Sequence, residues 1–116
     1  MSHAIETLIP HRAPMRFIDA LVECTDTSAV ATTCFSADAF AVTDGLVLET
    51  GLFECVAQTV AAALGQRGGK PGQAERLGNG MLVAGANSKI TTRPAAGKTL
   101  RIEVHELKRL GLMLMI

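Results

Sequence analysis

The sequence predicts an α+β domain in which one long helix packs against a mostly antiparallel sheet. Three observations carry that expectation. Residues Leu48–Arg67 (LETGLFECVAQTVAAALGQR) form a proline-free run rich in alanine, leucine, glutamate and glutamine, the one stretch suited to a long helix. Segments of strand length flank it, and Thr99–Leu107 alternates cleanly between apolar and polar residues. Glycine, proline and small polar residues punctuate the chain between them.

The elements follow in chain order. Ser2 is placed to cap a brief helix over His3–Leu8, and Pro10 and Pro14 bracket anything regular. Met15–Glu23 reads as a strand, Cys24–Ser28 as a turn, and the β-branched run Ala29–Phe35 as a second strand antiparallel to the first. Ser36–Leu48 reads as a loop carrying Asp38, Asp44 and Gly45. The helix follows, with Gly65 and the Gly68-Gly69 pair as its stop signal. A glycine-rich linker leads to a third strand over Met81–Ser88. Ile90–Arg93 runs extended to Pro94, and Ala95–Lys98 turns the chain. In Thr99–Leu107, Leu100, Ile102 and Val104 face one side while Arg101, Glu103 and His105 face the other. Leu112–Ile116 begins one more strand, so a C-terminal edge strand reads as incomplete or as covered by a partner. The expected order is β-β-α-β-β-β in a single domain over 1–116.

Composition excludes several functions. The 11 basic residues balance 11 acidic ones, so there is no electrostatic field to hold a phosphate backbone, and with no Trp or Tyr base stacking is poorly supplied. Nucleic acid is therefore not expected as a partner. Apolar residues reach 48%, too many for a disordered chain. No run is long enough to span a membrane, and the N-terminus lacks the pattern of a secretion signal, so a cytoplasmic protein is expected. Cys24, Cys34 and Cys55 form no CxxC or Cys/His cluster; no metal site or disulfide framework is expected, and the thiols read as small buried hydrophobes. A small neutral chain this apolar is expected to hide surface in a homodimer or higher oligomer.

The helix is apolar nearly all round, which suits burial on most sides. Thr50, Glu54 and Gln58 recur at i, i+4, i+8 and form one narrow polar line through it. A carboxyl group held dry there would have its pKa raised and become a proton donor near neutrality; on an open stripe it would be an ordinary glutamate paired with Gln58 or a lysine. Glu49, at the helix start, is accounted for by the helix dipole.

Residues 9–19 (IPHRAPMRFID), the Glu54-x-x-Ala57-Gln58 motif, and segments 86–100 and 107–111 resemble, in the same order, the beta-hydroxyacyl-acyl-carrier-protein dehydratases. The resemblance implies the hot-dog fold, a long central helix wrapped by an antiparallel sheet, assembled as a homodimer or larger. It implies the removal of water from a 3-hydroxyacyl thioester to give a trans-2-enoyl thioester, in fatty-acid or polyene-like lipid biosynthesis. The substrate's carrier would be an acyl carrier protein or coenzyme A. Arg12, Arg16, Lys89, Arg93, Lys108 and Arg109 would form the surface receiving an acidic carrier. No cofactor is implied.

That chemistry needs a base for the C2 proton, an acid for the departing 3-hydroxyl and donors for the charge on the thioester oxygen. The resemblance assigns the catalytic carboxylate to Glu54 and places Phe40, Gly51 and Gln58 against substrate, with Gly51 letting the thioester approach the first helical amides. The relatives' loop histidine falls near Phe40, so another group must serve: His11, Asp44 or His105. The resemblance gives His11 and Asp19 a structural part in the Pro-His-Arg turn, Asp19 pairing with Arg12 or Arg16; the alternation of its strand puts His105 on the polar, solvated face. Two alternatives stay open: an acyl-thioester hydrolase of the same fold and a non-catalytic acyl-binding subunit.

Overall fold

The computed structural model describes residues 4–67, 88–110 and 113–115. A single turn of helix, α1 (Ile5–Leu8), precedes the hairpin β1 (Ala20–Cys24) and β2 (Ser28–Cys34). A two-residue-per-strand hairpin, β3 (Val42–Thr43) and β4 (Leu46–Val47), leads into the long helix α2 (Glu49–Arg67). Then come β5 (Thr99–His105), β6 (Lys108–Leu110) and β7 (Met113–Met115).

The main sheet has the order β1-β2-β5, antiparallel throughout. Between β2 and β5 the register is unbroken, from Ser28 opposite His105 to Cys34 opposite Thr99. It sets Ala29 against Val104, Ala31 against Ile102 and Thr33 against Leu100, so one face of the sheet carries small side chains beside larger ones. α2 lies against that face with its own small residues: Gly51, Cys55, Thr59, Ala62 and Ala63 are buried. Small residues on both surfaces allow helix and sheet to approach closely. Ile9, Ile18, Phe17 and Phe35 complete the core from the segments before and after the hairpin. Each such side chain stabilises the fold by roughly 1.5–3 kcal/mol relative to exposure.

The alternation expected in β5 is present: Leu100, Ile102 and Val104 are the less accessible set, Arg101, Glu103 and His105 the exposed one. The expected β1–β2 turn is also present. The Thr25 hydroxyl accepts from the backbone N–H groups of Thr27 and Ser28, and Arg67 at the end of α2 donates to the Thr25 carbonyl at 2.8 Å.

Four expectations need correction. The first strand begins at Ala20, not Met15, because the backbone of Met15 and Phe17 is bonded to a helix side chain and a β2 hydroxyl instead of a ladder. The loop 36–48 contains the β3–β4 hairpin, built on Asp44 and Gly45 with φ of 53° and 76°; Asp-Gly is the pair that such a turn demands. Gly65 does not end α2, which runs on to Arg67. A Cβ at Gly65 would stand 2.5 Å from the Leu8 carbonyl oxygen, so the glycine is the contact point of α1 with α2. Finally, α2 is not enclosed all round in this chain: Leu52, Val56, Val60 and Ala61 are partly buried and Phe53 is exposed. Ser2, the glycine-rich linker and the third strand over 81–87 lie outside the described residues.

Candidate active site

Gln58 organises the site. Its side chain is fully buried in the middle of α2. Its Oε1 accepts from the Phe17 backbone N–H at 2.8 Å. Its Nε2 donates to the Met15 carbonyl at 2.8 Å and to Glu54 Oε1, one helical turn earlier, at 3.1 Å. A backbone N–H can only donate and a backbone carbonyl can only accept, so these two groups fix which way the amide faces. The NH2 end must point at Glu54.

The segment that Gln58 grips is itself shaped by its side chains. Arg12 donates to the carbonyls of Ile9, His11 and Glu6, closing the open end of α1. The N–H groups of Met15 and Arg16 both return to the Arg12 carbonyl, a tight turn. Asp19 accepts from the Cys34 N–H at 3.1 Å and lies 3.6 Å from Arg16, so it both fixes the turn and pairs with Arg16, not Arg12.

This bracing sets His11 beside Glu54. His11 Nε2 stands 3.7 Å from Glu54 Oε1 within one chain, with side-chain exposures of 31% and 38%. Nδ1 of His11 is buried and has no hydrogen-bond partner among the described residues. The carboxyl expected to be dry is thus open over about a third of its surface in the single subunit. Along the polar line exposure falls from Thr50, which is exposed, through Glu54 to the buried Gln58.

The other candidates lie elsewhere. Asp44 sits exposed at the tip of the β3–β4 turn, and among the described residues no hydrogen bond or ion pair ties it to Glu54. His105 is exposed on β5, 3.6 Å from Glu103. Gly51 is buried, and a Cβ there would meet Ala41 at 3.0 Å and Val47 at 3.5 Å. Phe40 is 67% exposed, its ring 6.4 Å from that of Phe17. Phe17, Phe35, Ala39 and Phe40 line a cleft of about 130 Å³ with Arg16 at its side. Cys55, next to Glu54 in sequence and about 100° round the helix from it, is buried; burial, then the charges of Glu54 and Asp19, push its thiol up to about 12. It is a packing residue, inert as a nucleophile. Of the basic residues expected to receive a carrier, Arg12 and Arg16 pair with Glu6, and Arg93 pairs with Glu49 while donating to the Val47 carbonyl. Arg93 therefore clamps the hairpin to the start of α2, a role no motif announced. Among the described residues no group of three or more acidic, Cys or His side chains is placed to hold a metal ion.

The site thus holds a carboxylate on the central helix, a histidine from the Pro-His-Arg turn beside it and a buried glutamine bonded to it, while the position of the relatives' loop histidine is taken by Phe40. The family model of the ApeP dehydratases, ApeP-like, matches residues 3–114. The chain belongs to the ApeP-like dehydratase family. Among solved structures, a chain of the dehydratase heterocomplex ApeI:P from Xenorhabdus doucetiae superposes with a TM-score of 0.75 at 20% identity, over 94% of this chain and 74% of that one. The fold of this ApeP-like chain is accordingly the hot-dog fold, α+β with a long helix wrapped by an antiparallel sheet. No curated protein matches the sequence. A dehydratase role follows from membership of the ApeP-like family. Among the described residues no helix is long and apolar enough to cross a membrane.

Proposed function

We propose that this chain removes water from a 3-hydroxyacyl thioester, carried by an acyl carrier protein or coenzyme A, to give the trans-2-enoyl thioester in a cytoplasmic lipid or polyene pathway. The observation that carries the reading is the approach of His11 to Glu54 with Gln58 donating to the same carboxylate oxygen. A carboxylate able to move a proton stands beside an imidazole and is oriented by a buried amide. The first turn of α2, which contains Gly51, offers backbone N–H groups without helical partners for the thioester oxygen, about 4.5 Å along the axis from Glu54.

The half-buried apolar residues of α2 and the partly open Glu54 call for a second subunit over this side of the helix. A homodimer supplies it, as does a distinct dehydratase subunit of the kind named in the ApeI:P heterocomplex. In either assembly the covering chain excludes water from the carboxylate and encloses the acyl group.

The test is direct. Purified protein is incubated with a 3-hydroxyacyl pantetheine thioester and, in the reverse sense, with the 2-enoyl thioester, while the conjugated enoyl chromophore is followed. Interconversion by the wild type and its loss in Glu54→Gln support the reading. Equal activity in that variant removes Glu54 from the chemistry, and release of free thiol without enoyl product makes the protein a thioester hydrolase instead.

A further inference from the structure

Resting on that reading, we infer that Glu54 takes the C2 proton as a carboxylate and itself returns it to the departing hydroxyl, while His11 is a positioning residue.

The argument starts at two backbone groups. The Phe17 N–H must find an acceptor and the Met15 carbonyl a donor, and the buried Gln58 amide serves both. Reversing that amide would set N–H against N–H and C=O against C=O in a buried place, leaving both backbone groups unsatisfied. The amide therefore presents a donor to Glu54 Oε1 in every protonation state of the carboxyl. Oε1 is thus held as the acceptor of a hydrogen bond whose donor cannot turn away. The bond falls on Oε1, and among the described residues no hydrogen bond or ion pair engages Oε2. That oxygen is left free to meet the C2 proton.

His11 gives the complementary half. For a neutral imidazole to act as base through Nε2, its proton must sit on Nδ1. Nδ1 is buried with no acceptor among the described residues, so that tautomer is penalised. The favoured neutral ring carries its proton on Nε2, the nitrogen that faces Glu54. It offers a donor, not a lone pair.

The step balances within one carboxyl group. Glu54 Oε2 takes the proton from C2, the C2–H electron pair forms the C2–C3 double bond, and the C3–O bond breaks with its pair on oxygen. The proton just taken passes from Oε2 to that oxygen, water leaves, and Glu54 is again a carboxylate. No outside acid or base is consumed.

The experiment compares two pantetheine thioesters, one with a 3-hydroxyl and one with a 3-fluoro group, which leaves without needing a strong acid. Wild type, Glu54→Gln, His11→Asn and His11→Gln are assayed for enoyl product after circular dichroism has shown each variant folded. The expected result is that Glu54→Gln loses at least about 1,000-fold on both substrates. Both His11 variants should lose about 3- to 30-fold, equally on the two substrates. Retention of fluoride elimination by Glu54→Gln would make Glu54 only the acid and overturn the inference. So would a His11 variant that loses at least about 1,000-fold on both substrates, because His11 would then be the base, or one that loses the hydroxyl substrate alone, because it would then be the acid. A wild type that yields no enoyl product from either substrate removes the dehydration reading itself, a result distinct from any of these variant patterns.

Discussion

The backbone N–H of Phe17 donates to the side chain of Gln58 at 2.8 Å, 41 residues further along the chain. Through this bond the Pro-His-Arg segment is fastened to the central helix, and through the other end of the same amide Glu54 is oriented.

Replacing Gln58 by leucine keeps its bulk and removes all three bonds. The Phe17 N–H and the Met15 carbonyl would then lack their partner in and beside the core, and a loss of about 2–4 kcal/mol is expected. Urea denaturation measures it. A loss below about 1 kcal/mol would mean that both groups find other partners readily.

Gly65→Ala tests the contact between the two helices. The added Cβ meets the Leu8 carbonyl oxygen at 2.5 Å, and that oxygen belongs to backbone, not to a side chain that can swing away. Stability should fall by about 1–3 kcal/mol, despite alanine's better helix propensity. Thermal melts of the variant and wild type decide it; a higher melting temperature would show that α1 yields freely.

Cys55 and Cys34 should differ sharply toward an alkylating reagent. The Cys34 side chain is exposed; the Cys55 thiol is buried and pushed up to about 12. Mass spectrometry of native protein should find Cys34 modified and Cys55 intact until denaturant is added. The same shift has a pH signature. The unfolded thiol loses its proton near 9.0, before the folded one does. Stability from keeping this group neutral is therefore full below pH 9.0 and drains away as pH rises toward 12. In Cys55→Ala that part of the alkaline loss should vanish, as urea titrations across this range would show.

Asp44 holds a φ of 53°, a conformation that β-branched residues resist. Asp44→Gly should leave stability within about 0.5 kcal/mol, whereas Asp44→Val should cost about 1–2 kcal/mol. Urea midpoints of the pair measure the difference. A turn that tolerates valine equally would contradict the geometry.

Much of the architecture was legible because it rests on local signals. The alternation in Thr99–His105, the β-branched run of β2 and the proline-free helix each state their element in their own residues. The β3–β4 hairpin has its signal in Asp44-Gly45 between Val-Thr and Leu-Val, but strands of only two residues show too little alternation to stand out from a loop. The site was legible in part. The Glu54 to Gln58 spacing announced a shared face, and their hydrogen bond bears that out. The grip of Gln58 on Phe17 and Met15 was not readable, since backbone groups leave no trace in residue identity. The start of β1 is hidden for the same reason: Met15–Phe17 has a strand's composition but spends its backbone bonds on α2 and β2. Gly65 read as a helix end because glycine's commonest role near a C-terminus is the cap; only the position of Leu8 reveals its other use.

The β2–β5 ladder joins segments separated by roughly 65 residues, with the whole of α2 in the interval. Such a pairing forfeits a large closure entropy before its first bond forms, so the sheet is a late and high-contact-order event. α2 is assembled from neighbours in sequence, and in the folded chain it lies against the sheet whose buried residues include Ala29, Ala31 and Val104. Refolding should accordingly proceed on the millisecond-to-second scale, with helical signal leading the sheet.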